Sequence, residues 1–174
     1  MRKIYLIFTH TGTILSKIIK NFTKNEFTHI SISLDSKLER MYSFGRIYPH
    51  IAFIGGFVKE NPKEGTFKRF YKTVTEIYEL EITEEQYKKI EEIIKTFNEH
   101  RKEYKFNVLG LFMVAINKSR KKEKTFYCAE FVQYVFDKAQ IDISYLPEVI
   151  KPQDLKKTKN IKRVYKGRLN EYLL

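Results

Sequence analysis

The segment EFTHISISLD, residues 26–35, constrains the fold most strongly because its side chains alternate in character. Apolar side chains occupy every second position, at Ile30, Ile32 and Leu34. A period of two is that of a β-strand, whose side chains point alternately to opposite faces of a sheet. The pattern predicts a strand with one face in the core and one polar face. The polar face carries His29, Ser31 and Ser33.

Five other segments favour strands. They are KIYLIF, RMYSF, IAFIGGFV, TVTEIYELEI and IKRVYKG, which are short and contain many β-branched or aromatic side chains. In IAFIGGFV the apolar run is interrupted by Gly55 and Gly56, which predicts a bulge or a turn at that point.

Segments with helical spacing lie between and after these strands. GTILSKIIKNFTK predicts a short amphipathic helix, and NVLGLFMVAI, apolar on nearly all sides, predicts a buried one. Thr83 and Gln86 have the spacing of a capping box, and Pro152 suits the first turn of a short helix. The buried stripe of the helix after Thr83 is predicted to be Tyr87, Ile90, Ile94 and Phe97. Because the order is mixed rather than a series of βαβ units, we expect an α+β fold with an antiparallel sheet.

The composition is that of one globular domain. A chain of 174 residues suits a single core, so we expect one domain over residues 1–174. No apolar run is long enough to span a bilayer, and the run at residues 4–8 is too short for a signal peptide, which predicts a cytoplasmic location. One cysteine cannot form an internal disulfide. With no metal-binding histidine spacing, phosphate-binding loop or dinucleotide fingerprint, no metal or cofactor is expected.

The net charge of +12 favours anionic partners: nucleic acid, acidic lipid headgroups or an anionic cell-wall polymer. A lysine-rich composition of the kind that AT-rich genomes produce explains the charge equally well. The basic stretches NKSRKKEK and KKTKNIKRVYKGR could follow phosphates. Because they accompany no recognisable reading helix or zinc module, nucleic acid is the weaker alternative.

Cys128 stands at the head of a segment with helical spacing, FYCAEFVQYVFDKAQI. The face of that helix is predicted to be Phe131, Val132, Val135, Phe136 and Ala139. A thiol in the first turn feels the positive end of the helix dipole, and the basic loop at residues 118–124 adds positive potential. These conditions favour the nucleophilic thiolate. A lone cysteine is nevertheless more often a small buried hydrophobic residue, so further support is needed.

His29 gives part of that support. It lies on the polar face of a strand whose other face is apolar, where it has no packing role. An imidazole on a rigid strand can face the N-terminus of a helix across a cleft, which is how papain-like enzymes pair a thiol with a base. The alternative is a surface histidine on a half-exposed strand.

The second support is a resemblance. FYCAEFVQYVFDKAQI resembles the nucleophile helix of the NlpC family of cell-wall cysteine peptidases. Here the histidine segment FTHISISLD precedes the cysteine, which is similar to the circularly permuted branch of that family: YiiX-like bacterial proteins, poxvirus relatives and the lecithin retinol acyltransferase group. The closing IKPQDL and VYKGRL also fit, so the resemblance covers most of the chain. It implies a papain-like fold, with an antiparallel sheet or barrel packed against the nucleophile-bearing helix.

The resemblance implies roles for particular residues. Cys128 would be the nucleophile and His29 the general base. The family adds a third polar residue, often acidic, on the next strand; Ser43 falls nearest to that place, and Glu60 is the alternative if its loop folds back. The oxyanion would be held by the Cys128 N–H and by a tyrosine hydroxyl. Tyr104 is the candidate, although as one of twelve tyrosines it is more simply a packing residue.

Two further positions bear on the site. Ala129 and Glu130 replace the small Ser-Gly pair of the family, and a carboxylate at Glu130 would oppose thiolate formation unless it points away or pairs with a basic residue. Arg46 is a candidate contact for an anionic group of the substrate, or else a solvated turn residue.

These residues predict a thiol hydrolase or acyltransferase that works through a Cys-His acyl-enzyme on an amide or ester. The substrate would be a peptidoglycan-type peptide or a lipid, with an anionic membrane surface as a further partner. The competing hypothesis is a catalytically weak or inactive binding module of the same fold, which interacts with anionic ligands or membrane lipid.

Overall fold

The computed structural model describes residues 1–13, 16, 17, 20, 21, 26–51, 54–107, 110 and 123–172. The strands are β1 (Arg2–His10), β2 (His29–Ser33), β3 (Met41–Arg46), β4 (Gly55–Glu60), β5 (Val74–Ile82), β6 (Lys105–Phe106), β7 (Thr125–Phe126) and β8 (Lys162–Arg168). The helices are α1 (Gly65–Arg69), α2 (Glu84–Glu99) and α3 (Cys128–Lys138), with 3₁₀ turns at Pro152–Lys157 and Leu169–Glu171. The α+β class predicted from the sequence is confirmed.

Six strands form one antiparallel sheet in the order β4-β3-β2-β1-β5-β8. Within the described residues the edge strands β4 and β8 do not pair with each other, so the sheet is open, and the alternative of a closed barrel is wrong. A separate pair, β6 and β7, is parallel and leads directly into α3.

The main core lies between one face of the sheet and the helices α2 and α3. The sheet contributes the alternate apolar residues Ile4, Leu6, Phe8, Ile30, Ile32, Phe44 and Phe57. The helix α2 contributes the predicted stripe, and α3 contributes Phe131, Val132, Val135 and Phe136, as its spacing predicted. Phe97 of α2 packs against Phe44 of β3 and Phe131 of α3, with ring centroids 5.8 and 5.3 Å away.

The opposite face of the sheet is also covered. It carries a second apolar cluster formed by Tyr5, Ile7, Leu38, Met41, Phe67, Ile77 and Leu169. As a result Ser31 and Ser33, on the predicted polar face of β2, have no exposed surface. The alternation of β2 is confirmed, but its polar face is buried rather than half-exposed to solvent. This burial matters for His29, which shares that face.

The predicted capping box before α2 is present, since Gln86 N–H donates to the Thr83 hydroxyl at 3.1 Å and the Gln86 side chain accepts from Thr83 N–H at 2.9 Å. Pro152 begins a 3₁₀ turn, as expected from its fixed backbone angle. IAFIGGFV is only half a strand, because β4 starts at Gly55. Residues 51 and 54, before that start, belong to the exposed β3–β4 connection.

Two predicted helices fall wholly or partly outside the described residues. NVLGLFMVAI, at residues 107–116, is described only at Asn107 and Gly110. In GTILSKIIKNFTK the four described residues from 16 onward, Ser16, Lys17, Lys20 and Asn21, are helical. The basic loop before α3 is described only from residue 123. Among the helices that can be examined, none has the length and apolar character needed to cross a bilayer.

Candidate functional site

Cys128 is the first residue of α3, directly after the extended N-cap residue Tyr127. The first hydrogen bond of the helix runs from Phe131 N–H to the Tyr127 carbonyl at 3.0 Å. The amides of the first turn, including that of Cys128, therefore have no partner inside the helix and can face an anion. Cys128 is 3% exposed and belongs to the main core.

His29 is the first residue of β2, and its side chain is 20% exposed. Its Nε2 atom lies 3.1 Å from Glu60 Oε1 and 3.3 Å from Ser31 Oγ. Ser31 in turn donates a short hydrogen bond to the other oxygen of the Glu60 carboxylate. The imidazole, the hydroxyl and the carboxylate thus form one closed network on a single face of the sheet.

The small side chains of β3 allow His29 and Glu60 to come into contact. His29 and Glu60 belong to strands that are not neighbours, because β3 lies between them. On the shared face β3 presents only small residues there, Ser43 and Gly45. A Cβ atom placed on Gly45 would lie 3.3 Å from Glu60 Oε1 and 3.5 Å from His29 Cε1. The absence of a side chain at Gly45 therefore leaves the space in which the two side chains meet.

The network determines the charge of His29. Burial alone would lower the pKa of the imidazole, but the Glu60 carboxylate and the Cys128 side chain outweigh it and raise the pKa of His29 to about 10. Burial would likewise raise the pKa of Glu60, yet the His29 charge and its hydrogen-bonding neighbours lower it. At neutral pH the pair is an imidazolium and a carboxylate, and the imidazolium also interacts with Cys128.

Ser43, the predicted third residue, adjoins this network without closing it. Its side chain is fully buried and contributes to lowering the pKa of Glu60. Its hydroxyl has no hydrogen-bond partner of acceptable geometry among the described residues, and the same holds for Thr9, which pairs with His29 across β1 and β2. The direct contact with the imidazole nitrogen is made by Glu60 instead. A role for Ser43 in orienting His29 stays a prediction.

Within the described residues, neither Tyr104 nor Arg46 has an interaction with the His29 imidazole. The Tyr104 ring stacks 4.2 Å from that of Phe97, and burial raises the pKa of its hydroxyl. No interaction of the described residues joins Tyr104 to Cys128 or His29, so its oxyanion role stays a prediction. Arg46 is half-buried at the end of β3, where it donates to Thr13 Oγ1 at 2.9 Å, and burial lowers its pKa.

Glu130 does not aim its carboxylate at solvent. Its Oε2 atom accepts from the Tyr127 backbone N–H at 3.0 Å and lies 3.4 Å from Asn107 Nδ2. The carboxylate folds back over the start of α3, where the helix dipole stabilises a negative charge. The hydroxyl of Tyr127 donates to the Ile150 carbonyl at 2.9 Å, which ties the first turn of α3 to the segment just before the 3₁₀ turn at Pro152–Lys157.

Sequence reasoning missed Ser31 and gave Glu60 no spacing argument. Ser31 lies two residues after His29, so the period of a strand already placed both on one face. Glu60 required knowledge of how β3 and β4 pair, since the observed register sets Glu60 opposite Met41. Position in the sequence alone does not provide that register.

No protein-family model, curated protein or solved structure matches this chain. Within the described ranges, no group of three histidine, cysteine or acidic side chains could hold a metal ion.

Proposed function

We propose that this chain is a cysteine hydrolase or acyltransferase of the permuted papain-like, NlpC type. One observation carries the proposal: the His29 imidazole hydrogen-bonds the Glu60 carboxylate, and against the effect of burial that carboxylate and the side chain of Cys128, at the start of α3, raise the pKa of His29. A nucleophile, a base and a group that orients the base are the three parts required for acyl transfer through a covalent intermediate.

In the first step the thiolate of Cys128 attacks a carbonyl carbon of the substrate. His29 holds the proton that came from the thiol; because Nε2 is engaged by Glu60 and Ser31, Nδ1 is the nitrogen that exchanges it. A C–S bond forms, and the carbonyl electrons move onto oxygen. The backbone N–H of Cys128 stabilises that oxyanion from the helix terminus.

In the second step the tetrahedral intermediate collapses to a thioester. The bond from the carbonyl carbon to the leaving nitrogen or oxygen breaks, and His29 donates its proton to that atom. Water, or the hydroxyl or amine of an acceptor, then attacks the thioester while His29 takes up its proton. The thioester bond breaks and the thiolate is restored. Glu60 stabilises the imidazolium throughout, which is the role of a positioning residue.

The substrate is an amide or ester: a peptidoglycan-type peptide or a lipid. A binding module of the same fold, with little or no catalysis, is the competing proposal, and the 3% exposure of Cys128 favours it. A nucleophile must be reached by its substrate, whereas a small buried thiol in a core need not be.

Alkylation distinguishes the two proposals. Because Cys128 is the sole cysteine, mass spectrometry with iodoacetamide reports on it alone. A catalytic pair predicts alkylation of the native protein that stays fast from pH 6 to pH 8, and a rate at pH 7 about tenfold lower in His29→Ala, because the imidazolium that stabilises the thiolate is lost.

The matched control is His100→Ala, since His100 is exposed at the end of α2 and pairs with Glu103. It should alkylate like the wild type. A native Cys128 that resists the reagent and reacts only in urea would contradict catalysis and leave the binding module. A rate that rises with pH like that of a free thiol, unchanged in His29→Ala, would do the same.

A further inference from the structure

Several strands begin or end at the same end of the six-stranded sheet. Antiparallel pairing brings the end of β1, the start of β2, the end of β3 and the starts of β4 and β5 to the same end. Arg46 confirms this, because it donates to Thr13 after β1 and its guanidinium lies 5.6 Å from the ring of Phe70 before β5. We call this the hairpin end, after the β3–β4 connection, residues 47–54.

The hairpin end exposes most of the large apolar side chains that lie outside the core. Ile47, Tyr48, Ile51 and Ile54 are between 43% and 54% exposed, although all lie within eight residues of one another. Tyr71 and Val74, at the start of β5, add 57% and 41%. Single exposed apolar side chains are ordinary, but a group of them gathered at one end of the sheet favours an interaction surface.

Unpaired positive charges surround these residues. Lys68, Arg69 and Lys72 are exposed beside the hairpin end, and within the described part of the chain none of them, nor Arg46, forms an ion pair. Several basic residues near α2 are paired instead: Arg2 with Glu84, Lys3 with Glu79, and Arg40 with Glu91. The end that exposes apolar side chains therefore also carries basic side chains that are free to meet an anionic partner.

We infer that the hairpin end docks on a lipid bilayer that contains anionic phospholipid. Isoleucine side chains enter the boundary between headgroups and acyl chains, and the two tyrosines suit that boundary because each joins an apolar ring to a polar hydroxyl. Lysine and arginine at the rim attract the anionic headgroups. Nucleic acid would use the charges but would gain nothing from exposed isoleucines, so the bilayer fits both features.

The docking surface adjoins the candidate site. His29 begins β2 at this same end, and a cavity of about 170 Å³ between the hairpin and α1 is lined by Arg46, Ile47 and Glu60. The proposal concerns binding, however, and it does not require the chemistry of Cys128. Cys128→Ala should dock as the wild type does, which separates a failure of docking from a failure of the proposed function.

Vesicle flotation tests the proposal. The full chain should float with phosphatidylcholine vesicles that contain phosphatidylglycerol and should float less with phosphatidylcholine alone. Ile47→Asp with Tyr48→Asp should lower the bound fraction about tenfold, because charged side chains replace the inserted ones. Arg69→Glu should lower binding about fivefold. Val164→Asp on β8, with a wild-type exposure of 41%, is the matched control and should bind unchanged.

Circular dichroism and thermal unfolding of each variant exclude misfolding as the cause. Wild-type protein that fails to float with anionic vesicles overturns the inference. So does flotation that the hairpin variant and the Val164 control reduce equally. Retention of an oligonucleotide in a gel shift, lost in Arg69→Glu, together with no flotation, would assign the surface to nucleic acid instead.

Discussion

Two carboxylates on the same sheet, both largely shielded from solvent, have opposite surroundings. Glu76 on β5 is 3% exposed and meets three cations: Lys156, and Arg163 and Lys166, each of the latter at 3.1 Å. The Glu60 side chain on β4 is 12% exposed, and its one cationic partner among the described residues is His29. Lysine and arginine stay charged across the neutral range, whereas an imidazole can lose its proton.

The two centres therefore do different work. The Glu76 centre ties β8 and the 3₁₀ turn at Pro152–Lys157 to β5. Burial alone would raise the pKa of Glu76, but hydrogen bonds and charge from Lys156 and Lys166 outweigh it and lower the pKa to about 2. Glu76 is ionised and its three partners stay protonated at neutral pH, so this centre does not transfer a proton. The Glu60 centre holds one proton on His29, which also interacts with Cys128. A shielded carboxylate stabilises the fold when its cationic partners keep their charge at neutral pH. It can support proton transfer when its partner is an imidazole that can lose a proton.

The largest effect should come from Glu60→Gln. This variant keeps the shape of the side chain and removes the charge that stabilises the imidazolium, so alkylation of Cys128 at pH 7 should fall about fivefold, less than when the imidazole itself is removed. The free energy of unfolding should fall by about 3 kcal/mol, because removing one partner of a nearly buried pair leaves the charge of the other uncompensated. The iodoacetamide rate and urea unfolding measure the two quantities. A large loss of stability with an unchanged rate would make Glu60 a clamp like Glu76.

The pH dependence of the free energy of unfolding should distinguish the His29–Glu60 pair from the Glu76 centre. The raised pKa of His29 contributes stability that is complete below about pH 6.5 and is lost as pH rises toward 10, with a slope of about 1 kcal/mol per pH unit. Urea unfolding of the wild type between pH 6.5 and 10 measures the slope, and His29→Gln should flatten it. If both proteins lose stability in parallel, His29 is not paired in the way described.

Glu76→Gln should destabilise the fold by about 2 kcal/mol, because it leaves three cations around an uncharged, nearly buried group. The rate of Cys128 alkylation should not change. The lowered pKa of Glu76 also predicts that its contribution, complete above about pH 4.5, is lost as pH falls toward 2. Acid unfolding of the wild type beside Glu76→Gln tests this, and identical acid midpoints would refute it.

The smallest effect should come from Gly45→Ala. The new methyl group would lie 3.3 Å from Glu60 Oε1 and 3.5 Å from His29 Cε1, so the side chains must shift by a few tenths of an ångström. Alkylation of Cys128 should slow about threefold, because the hydrogen bond that orients the imidazole becomes less well aligned. Gly56→Ala, whose new Cβ would meet the Tyr104 carbonyl and Ile47 instead, is the control. Equal slowing in both would indicate a general distortion of the sheet.

Local patterns predicted much of this molecule. The period of two in β2 and the helical spacing after Cys128 depend on near neighbours in the sequence, and both elements form where expected. The capping box at Thr83 is equally local. The start of β4 was predicted too early because apolar residues before Gly55 resemble a strand, although Ile51 and Ile54 are exposed.

The composition of the candidate site was harder to predict. Cys128 and His29 could be singled out individually, but the partner of His29 depends on the register between strands far apart in the chain. Ser43 was preferred because it lies on the adjacent strand. Glu60 reaches His29 instead, because Ser43 and Gly45 leave room above β3. Whether a small residue such as Ser43 contacts His29, or only leaves space for another side chain, depends on tertiary packing. A local sequence pattern does not predict that packing.

The pairing of β3 with β4 has a last consequence, for folding. A slip of one residue in that pairing would turn Glu60 to the face that carries Phe57, away from His29. A misregistered molecule would then hold an imidazole without its carboxylate and a thiol without its partner. Fast alkylation at pH 7 would arise only in chains that have completed the correct pairing, so the fast phase of Cys128 alkylation would report the properly folded fraction of a preparation.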